Sequence, residues 1–260
     1  MNNVNKTLFI PLYGKAYVSR AGILLQDPKA EEIWAREAFP LRGKAKSRWL
    51  AYYMAMRASV FDRWTEAQLR ATPDAVVLHL GCGMDTRALR VDTGDHMWYD
   101  VDFPEVIRQR RIYFTESLHY HMVDADIRNP QWLETLPETG TAIVLMEGIS
   151  MYLMPEELQQ VLFHLNAHFR DVHLLMDCYS ELAARASRYK NPIRSVGVSQ
   201  VFGIDDPHVP AEGTGLIFAK EHDMTPEDRI CQLPEKEQTI FRKLYAGKIS
   251  RKLYRLYEYR

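Results

Sequence analysis

The stretch Val76-Val77-Leu78-His79-Leu80-Gly81-Cys82-Gly83-Met84-Asp85-Thr86-Arg87 decides the fold. Its first five residues have the length and near-continuous apolarity of a strand buried on both faces. Gly-x-Gly directly after them lets backbone amides approach a ligand where a Cβ would stand in the way. Ala88 and Leu89 are expected to continue the turn as a helix. No Gly-Lys-Ser/Thr follows, so the turn is not a P-loop.

Outward from this turn, apolar runs at 76–80, 97–101, 119–123, 141–146 and 172–178 alternate with helical periods, the pattern of a parallel sheet wound with helices. Pro104 and Pro155 stand at first helical positions. After Pro155, Leu158, Val161, Leu162, Leu165 and Phe169 share one face. Shorter runs at 216–219 and 253–259 complete the sheet. A dinucleotide turn would carry a third glycine near position 86, but Thr86 stands there. The turn therefore favours a nucleoside ligand without pyrophosphate, such as S-adenosylmethionine, over a nicotinamide dinucleotide. Asp102 ends the second run, 21 positions after Gly81. That is close to the ~20-residue offset of an acidic residue that accepts ribose hydroxyls; the alternative is a cap for the helix at Pro104. Asp126 follows the third run and Glu147 the fourth. Ligands of open α/β sheets bind beyond the carboxyl ends of strands, so these polar ends describe one crevice.

Upstream, residues 45–69 read as one helix with the stripe Leu50, Tyr53, Met54, Arg57, Phe61 and Trp64. Arg57 points where the core should be, at a cost of several kcal/mol unless an anion meets it. Either a core-edge carboxylate or a ligand anion would do so. Downstream, 181–189 reads as a helix, and the Pro- and Gly-marked segment 190–215 as a lid.

The chain has 260 residues, 33 Lys+Arg against 34 Asp+Glu, and 47% hydrophobic residues. Such a chain folds rather than staying disordered, here as a single domain over 1–260 whose first 70 residues form a helical cap on the ligand site. A net charge of -1 excludes a globally basic nucleic-acid binder. The aromatic, basic tail (Lys248, Arg251, Lys252, Tyr254, Arg255, Tyr257, Tyr259) is read instead as an edge strand whose charges block pairing. Cys82, Cys178 and Cys231 have neither metal-ligand nor disulfide spacing, so no metal and a reduced, cytoplasmic compartment are expected. No run reaches the roughly 18 apolar residues of a membrane span, and the patch around Leu8–Leu12 is broken by Pro11.

The turn 80–87, Asp100-Val101-Asp102-Phe103-Pro104-Glu105-Val106, and Glu147-Gly148 with Met151-Tyr152-Leu153 resemble the leucine carboxyl methyltransferase family. Looser similarity runs through Phe202-Gly203-Ile204-Asp205-Asp206-Pro207 to the Tyr-rich end. The resemblance implies a class I, Rossmann-like methyltransferase fold: a three-layer α/β sandwich around a mostly parallel seven-stranded sheet, its last strand antiparallel. It implies S-adenosylmethionine as methyl donor. Gly81 and Gly83 would approach this cofactor, Asp102 would hold its ribose, Asp126 and Ile127 would flank the adenine, and Glu147 would lie beneath the methionine portion. Arg57 would meet the cofactor's carboxylate, with Lys15 as second cation and Arg20 competing for that place. Met84, Ile149 and Ser150 depart from the family pattern.

The implied reaction is O-methylation of a small acid or phenol. A carboxylate, with a pKa of about 4, is already ionised and needs no base, whereas a phenol, near 10, would gain from one. No catalytic residue is assigned. His79 reads as a core residue, His208 as part of the lid, and Arg188 or Arg194 as a candidate to recruit an acidic acceptor. The competing readings are a nicotinamide-dependent oxidoreductase, which Thr86 disfavours, and a cofactor-binding sensor without transfer.

Overall fold

The computed structural model describes residues 5–137, 140–190 and 200–260. Their strands are β1 (Val76–Leu80), β2 (Trp98–Asp102), β3 (Tyr120–Asp124), β4 (Thr141–Met146), β5 (Asp171–Tyr179), β6 (Phe218–His222) and β7 (Tyr254–Tyr259). Among the described residues they form one seven-stranded sheet in the order β3-β2-β1-β4-β5-β7-β6. β1 to β5 run parallel, and β7 is antiparallel to both its neighbours.

The helices are α1 (Phe9–Arg20), α2 (Pro28–Glu37), α3 (Arg48–Ala71), α4 (Pro104–Arg110), α5 (Pro155–His168), α6 (Glu181–Lys190), α7 (Glu227–Ile230), α8 (Glu235–Tyr245) and α9 (Lys248–Leu253). They cover both faces of the sheet, which is why β1 is buried at every position. On one face Leu158, Val161, Leu162 and Leu165 of α5 pack with Leu78, Leu80, Val144 and Leu174. On the other, α3 packs with Val77, Ile143, Leu145 and Leu175. Residues 51–61 of α3 are buried all round, because α1 lies along the side away from the sheet. None of these helices is long and apolar enough to cross a membrane.

Three local expectations are corrected. The turn after β1 continues only as a 3-10 turn, Arg87–Leu89, not as a helix. Thr86 there is tied to Asp27, while Arg87 and Arg90 turn inward to carboxylates. Pro11 does not break the N-terminal patch but sits inside the first turn of α1, where backbone N–H groups have no intrahelical acceptor to lose. The aromatic tail is not an edge strand: β7 lies between β5 and β6, with Tyr257 and Tyr259 fully buried. The edge on that side is β6, and Lys220 and Glu221 protect it.

Register brings the site together. Leu80 stands beside Val101 on one side and Met146 on the other, and Asp102 beside Asp124. Gly81, Asp102, Asp126 and Glu147 therefore emerge at one rim. The chain leaves β1 toward β2 and β3, then returns to β4 on the other flank. This reversal opens the crevice there.

Candidate functional site

A cavity of about 900 Å³ lies at that rim. It joins the glycine turn, the ends of β2, β3 and β4, the inner sides of α1 and α3, and a cluster of tyrosines. Lys15, Arg57, Gly81, Gly83, Asp102, Asp126, Ile127 and Glu147 all line it, although they come from six separate parts of the chain.

The turn needs its glycines. Gly81 and Gly83 have φ of +64° and +52°, a region unfavourable to side chains. Arg110 holds the turn from below: its Nη1 donates to the carbonyls of Gly83 and Asp85, both at 2.8 Å. Arg110 is itself fully buried against Asp100 and Tyr120. A Cβ on Gly81 would stand 2.3 Å from Cγ2 of Ile149. Gly81→Ala is therefore expected to destabilise the fold by roughly 1–3 kcal/mol, measured by denaturant unfolding.

Asp102 accepts hydrogen bonds from the Gly83 N–H (2.7 Å) and the Phe103 N–H (2.8 Å). Burial pushes its carboxyl up to about 6 against the pull of those donors. Asp126 is half-exposed at the rim, and Arg128 clamps it through several side-chain bonds of 2.5–3.1 Å. Those bonds hold its carboxyl below the usual range.

Arg57 does have protein anions. Its Nε donates to Glu147 (3.0 Å), and its Nη1 to Asp177 (2.7 Å) and to the Tyr254 hydroxyl (2.5 Å). Of the two anions expected for it, protein carboxylates are present: the guanidinium belongs to a buried network. None of the three bonds uses Nη2. A Cβ on Gly148 would stand 3.4 Å from both Nη1 and Nη2, so glycine keeps that face of the guanidinium clear.

The network runs on from Glu147 to Arg87 (2.5 Å), from Arg87 to Asp62 (2.7 Å), and through Arg90 to Asp27 (2.8 Å). Asp85 joins it to Lys15 (2.5 Å). Burial alone would raise the Glu147 carboxyl, but Arg87 and Arg57 outweigh it and bring it down to about 2. Lys15, Arg87 and Arg90 likewise hold Asp85 well below its ordinary value against burial. Of the two candidates for a cation beside Arg57, Lys15 lines the cavity and Arg20 does not; Arg20 is exposed and pairs with Glu31 at 3.6 Å. His79 is a satisfied core residue, its Nδ1 3.2 Å from Asp100.

Sequence reasoning missed Asp85, Arg87, Asp177 and Tyr254. The signal for Asp177 was present, as one acid near the end of an otherwise apolar run. Nothing local marked Tyr254. Of the expected lid, residues 191–199 lie outside the described residues, as do Arg194 and the side chain of Arg188. The described remainder packs against α5 and β7, where Gln159 donates to the Val209 carbonyl and Tyr259 to that of Pro207.

The chain and its sheet have counterparts in known proteins. Over 227 residues the chain is 30% identical to the tetracenomycin polyketide synthesis O-methyltransferase TcmP of Streptomyces glaucescens, covering 86% of this chain and 84% of that one. Over 187 residues it is 32% identical to the S-adenosyl-L-methionine-dependent methyltransferase dpfgK of Gibberella zeae, covering 64% and 63%. In fold it is similar to a DUF574-family protein of Streptomyces avermitilis (TM-score 0.58, 13% identity, 90% of this chain and 89% of that one). It is also similar to the magnesium protoporphyrin IX methyltransferase of Synechocystis PCC 6803, solved with bound S-adenosylhomocysteine (TM-score 0.51, 12% identity, 88% and 92%). Residues 4–166 match the family described as leucine carboxyl methyltransferase, and this span carries the glycine turn, Asp102 and the Arg57–Glu147 pair. The chain belongs to the leucine carboxyl methyltransferase family of S-adenosylmethionine-dependent enzymes.

Proposed function

We propose that the cavity transfers a methyl group from S-adenosylmethionine to an oxygen of a small-molecule acceptor. One observation carries this reading. One cavity is lined together by the glycine turn and the Asp102 carboxylate, by the buried cations Lys15 and Arg57, and by apolar and tyrosine side chains. Its volume lies near the top of the ~300–1,000 Å³ range of ligand sites, which suits a cofactor together with an acceptor. The polyketide O-methyltransferase among the relatives supports oxygen as the acceptor atom.

In this reading the Gly81–Gly83 backbone lies against the cofactor and Asp102 accepts its ribose hydroxyls. Asp126 and Ile127 border the adenine, with the Asp126 carboxylate already engaged by Arg128. Lys15 and the open side of Arg57 meet the cofactor's carboxylate, over the space that Gly148 leaves. Glu147 holds Arg57 from beneath. When bound, the cofactor supplies an electrophilic methyl group. The chain supplies alignment and exclusion of water, and such proximity is worth up to ~7–11 kcal/mol. Calorimetric titration with S-adenosylmethionine and S-adenosylhomocysteine is expected to show one site per chain for each. Absence of heat for both would overturn the reading, and tight binding of NADH instead would restore the oxidoreductase.

A further inference from the structure

We propose that the mouth of the cavity is a basic collar selecting an acceptor acid that carries a second anionic group, and that Lys44 holds this group while the reacting carboxylate lies further in. This rests on the methyl-transfer reading above and narrows its acceptor.

Exposed lining residues mark where the cavity opens to water. Lys44 before α3, Ala186 on α6 and Leu244 on α8 are exposed, whereas Lys15, Arg57 and Asp102 are buried. A fourth exposed lining residue, Arg128, is bound by Asp126 and Glu157. The interior cations are paired as well, Lys15 with Asp85 and Arg57 with Glu147 and Asp177. Among the described residues, Lys44 is the one lining Lys or Arg without a carboxylate partner.

That lysine stands among like charges. Residues 42–50 reach the cavity through Lys44, Ser47 and Trp49, and residues 243–253 through Leu244, Ser250 and Leu253. Arg48 joins the two segments by meeting Glu237 of α8 at 2.8 Å. The first segment carries Arg42, Lys44, Lys46 and Arg48 and no acid. The second carries Lys243, Lys248, Arg251 and Lys252, again with no acid. Eight cations in two short segments are a local surplus in a chain whose net charge is -1. Glu237 takes Arg48, and Asp223 takes Arg251 at 3.0 Å. The other six are exposed and have no ion-pair partner among the described residues.

The cofactor does not consume this surplus. Lys15 and Arg57 meet its carboxylate in the reading above, and its ammonium and sulfonium are themselves cations. Lys44 is therefore left for the acceptor. An acid with a single charge places that charge at the transferred methyl, beside the Gly81–Gly83 turn, and leaves Lys44 unpaired. An acid with a second anionic group at its far end fills both places. The remaining collar cations act at longer range, raising the concentration of anions at the mouth, an attraction that salt screens over ~10 Å at 0.1 M.

The test titrates two pairs of fluorescent acids onto the S-adenosylhomocysteine complex of the full chain. The pairs are 2-naphthoic with 2,6-naphthalenedicarboxylic acid, and biphenyl-4-carboxylic with biphenyl-4,4′-dicarboxylic acid. In at least one pair the diacid is expected to bind about tenfold more tightly in about 20 mM NaCl, and this advantage to fall at least threefold in about 300 mM. Lys44→Ala should likewise cut the advantage at least threefold, and Lys44→Arg should keep it. Lys44 has no side-chain partner to lose, so the variants retain the fold. With S-adenosylmethionine the product should be the monomethyl ester, with the same preference in kcat/KM. Equal binding within both pairs, no binding of any of the four acids, a preference indifferent to salt, or one that survives Lys44→Ala would overturn the inference. Titration with S-adenosylmethionine alone separates the two readings: cofactor binding without the diacid preference overturns only this inference, and no cofactor binding overturns both.

Discussion

Arg57→Ala is expected to lower the melting temperature by roughly 10 °C and to weaken S-adenosylmethionine binding at least a hundredfold, the two losses arriving together. The variant leaves Glu147 and Asp177 buried without the guanidinium that both share. Removing one partner of a buried pair costs ~3–5 kcal/mol. At about 2–4 °C per kcal/mol for a chain of this size, that gives the shift. The binding loss follows, under the proposed function, from losing charge-assisted bonds to the cofactor's carboxylate, worth ~1.5–3 kcal/mol each. Arg57→Lys should recover part of the stability, since an ammonium meets one of the two carboxylates but lacks the fork that reaches both. Melting curves and calorimetry on the same samples decide it. An unchanged melting temperature with collapsed affinity would mean that a ligand is the anion Arg57 mainly serves.

Asp102→Ala is expected to weaken cofactor binding about a hundredfold near neutral pH and to expose an opposition between binding and stability. The Asp102 carboxyl lies at about 6 when folded, against an ordinary value of 3.8. The folded state thus holds this proton more tightly than the unfolded chain. The stability Asp102 contributes is fully present below pH 3.8 and is lost as pH rises through about 6. At neutral pH its ionisation costs about 3 kcal/mol. Under the proposed function cofactor binding runs the other way, because the ribose hydroxyls would donate to the ionised carboxylate. Affinity should fall about tenfold per pH unit below pH 6. The difference between wild type and Asp102→Ala, measured from pH 4 to 7, isolates both slopes from the other carboxylates. A binding difference that does not vary with pH would remove Asp102 from the ribose contact.

Such a residue was legible because its neighbours are local. Asp102 ends a strand and precedes a proline-opened helix, and it reaches back only 19 positions to the Gly83 amide. Glu147 was legible by position alone, as the residue that directly follows β4. The network was illegible for the opposite reason. Arg87 meets Glu147 across 60 positions, and Arg57 meets Glu147, Asp177 and Tyr254 across 90, 120 and 197. Hydrophobic periodicity placed Arg57 on the inward face of α3 but carried no information about which acids converge on it.

The sequence alone determined the winding of the sheet, the glycine turn and the acidic strand ends. Runs such as Val76–Leu80 and Thr141–Met146 are stable only where helices cover both faces, and parallel order then forces their ends to a common rim. Tertiary structure alone decided the rest: that Lys15 rather than Arg20 reaches the cavity, that the turn after β1 stays a short 3-10 turn, that β7 is interior, and that Asp177 and Tyr254 meet at Arg57. Each depends on charges and hydroxyls from distant segments satisfying one another out of water, a condition on three-dimensional proximity that no spacing along the chain encodes.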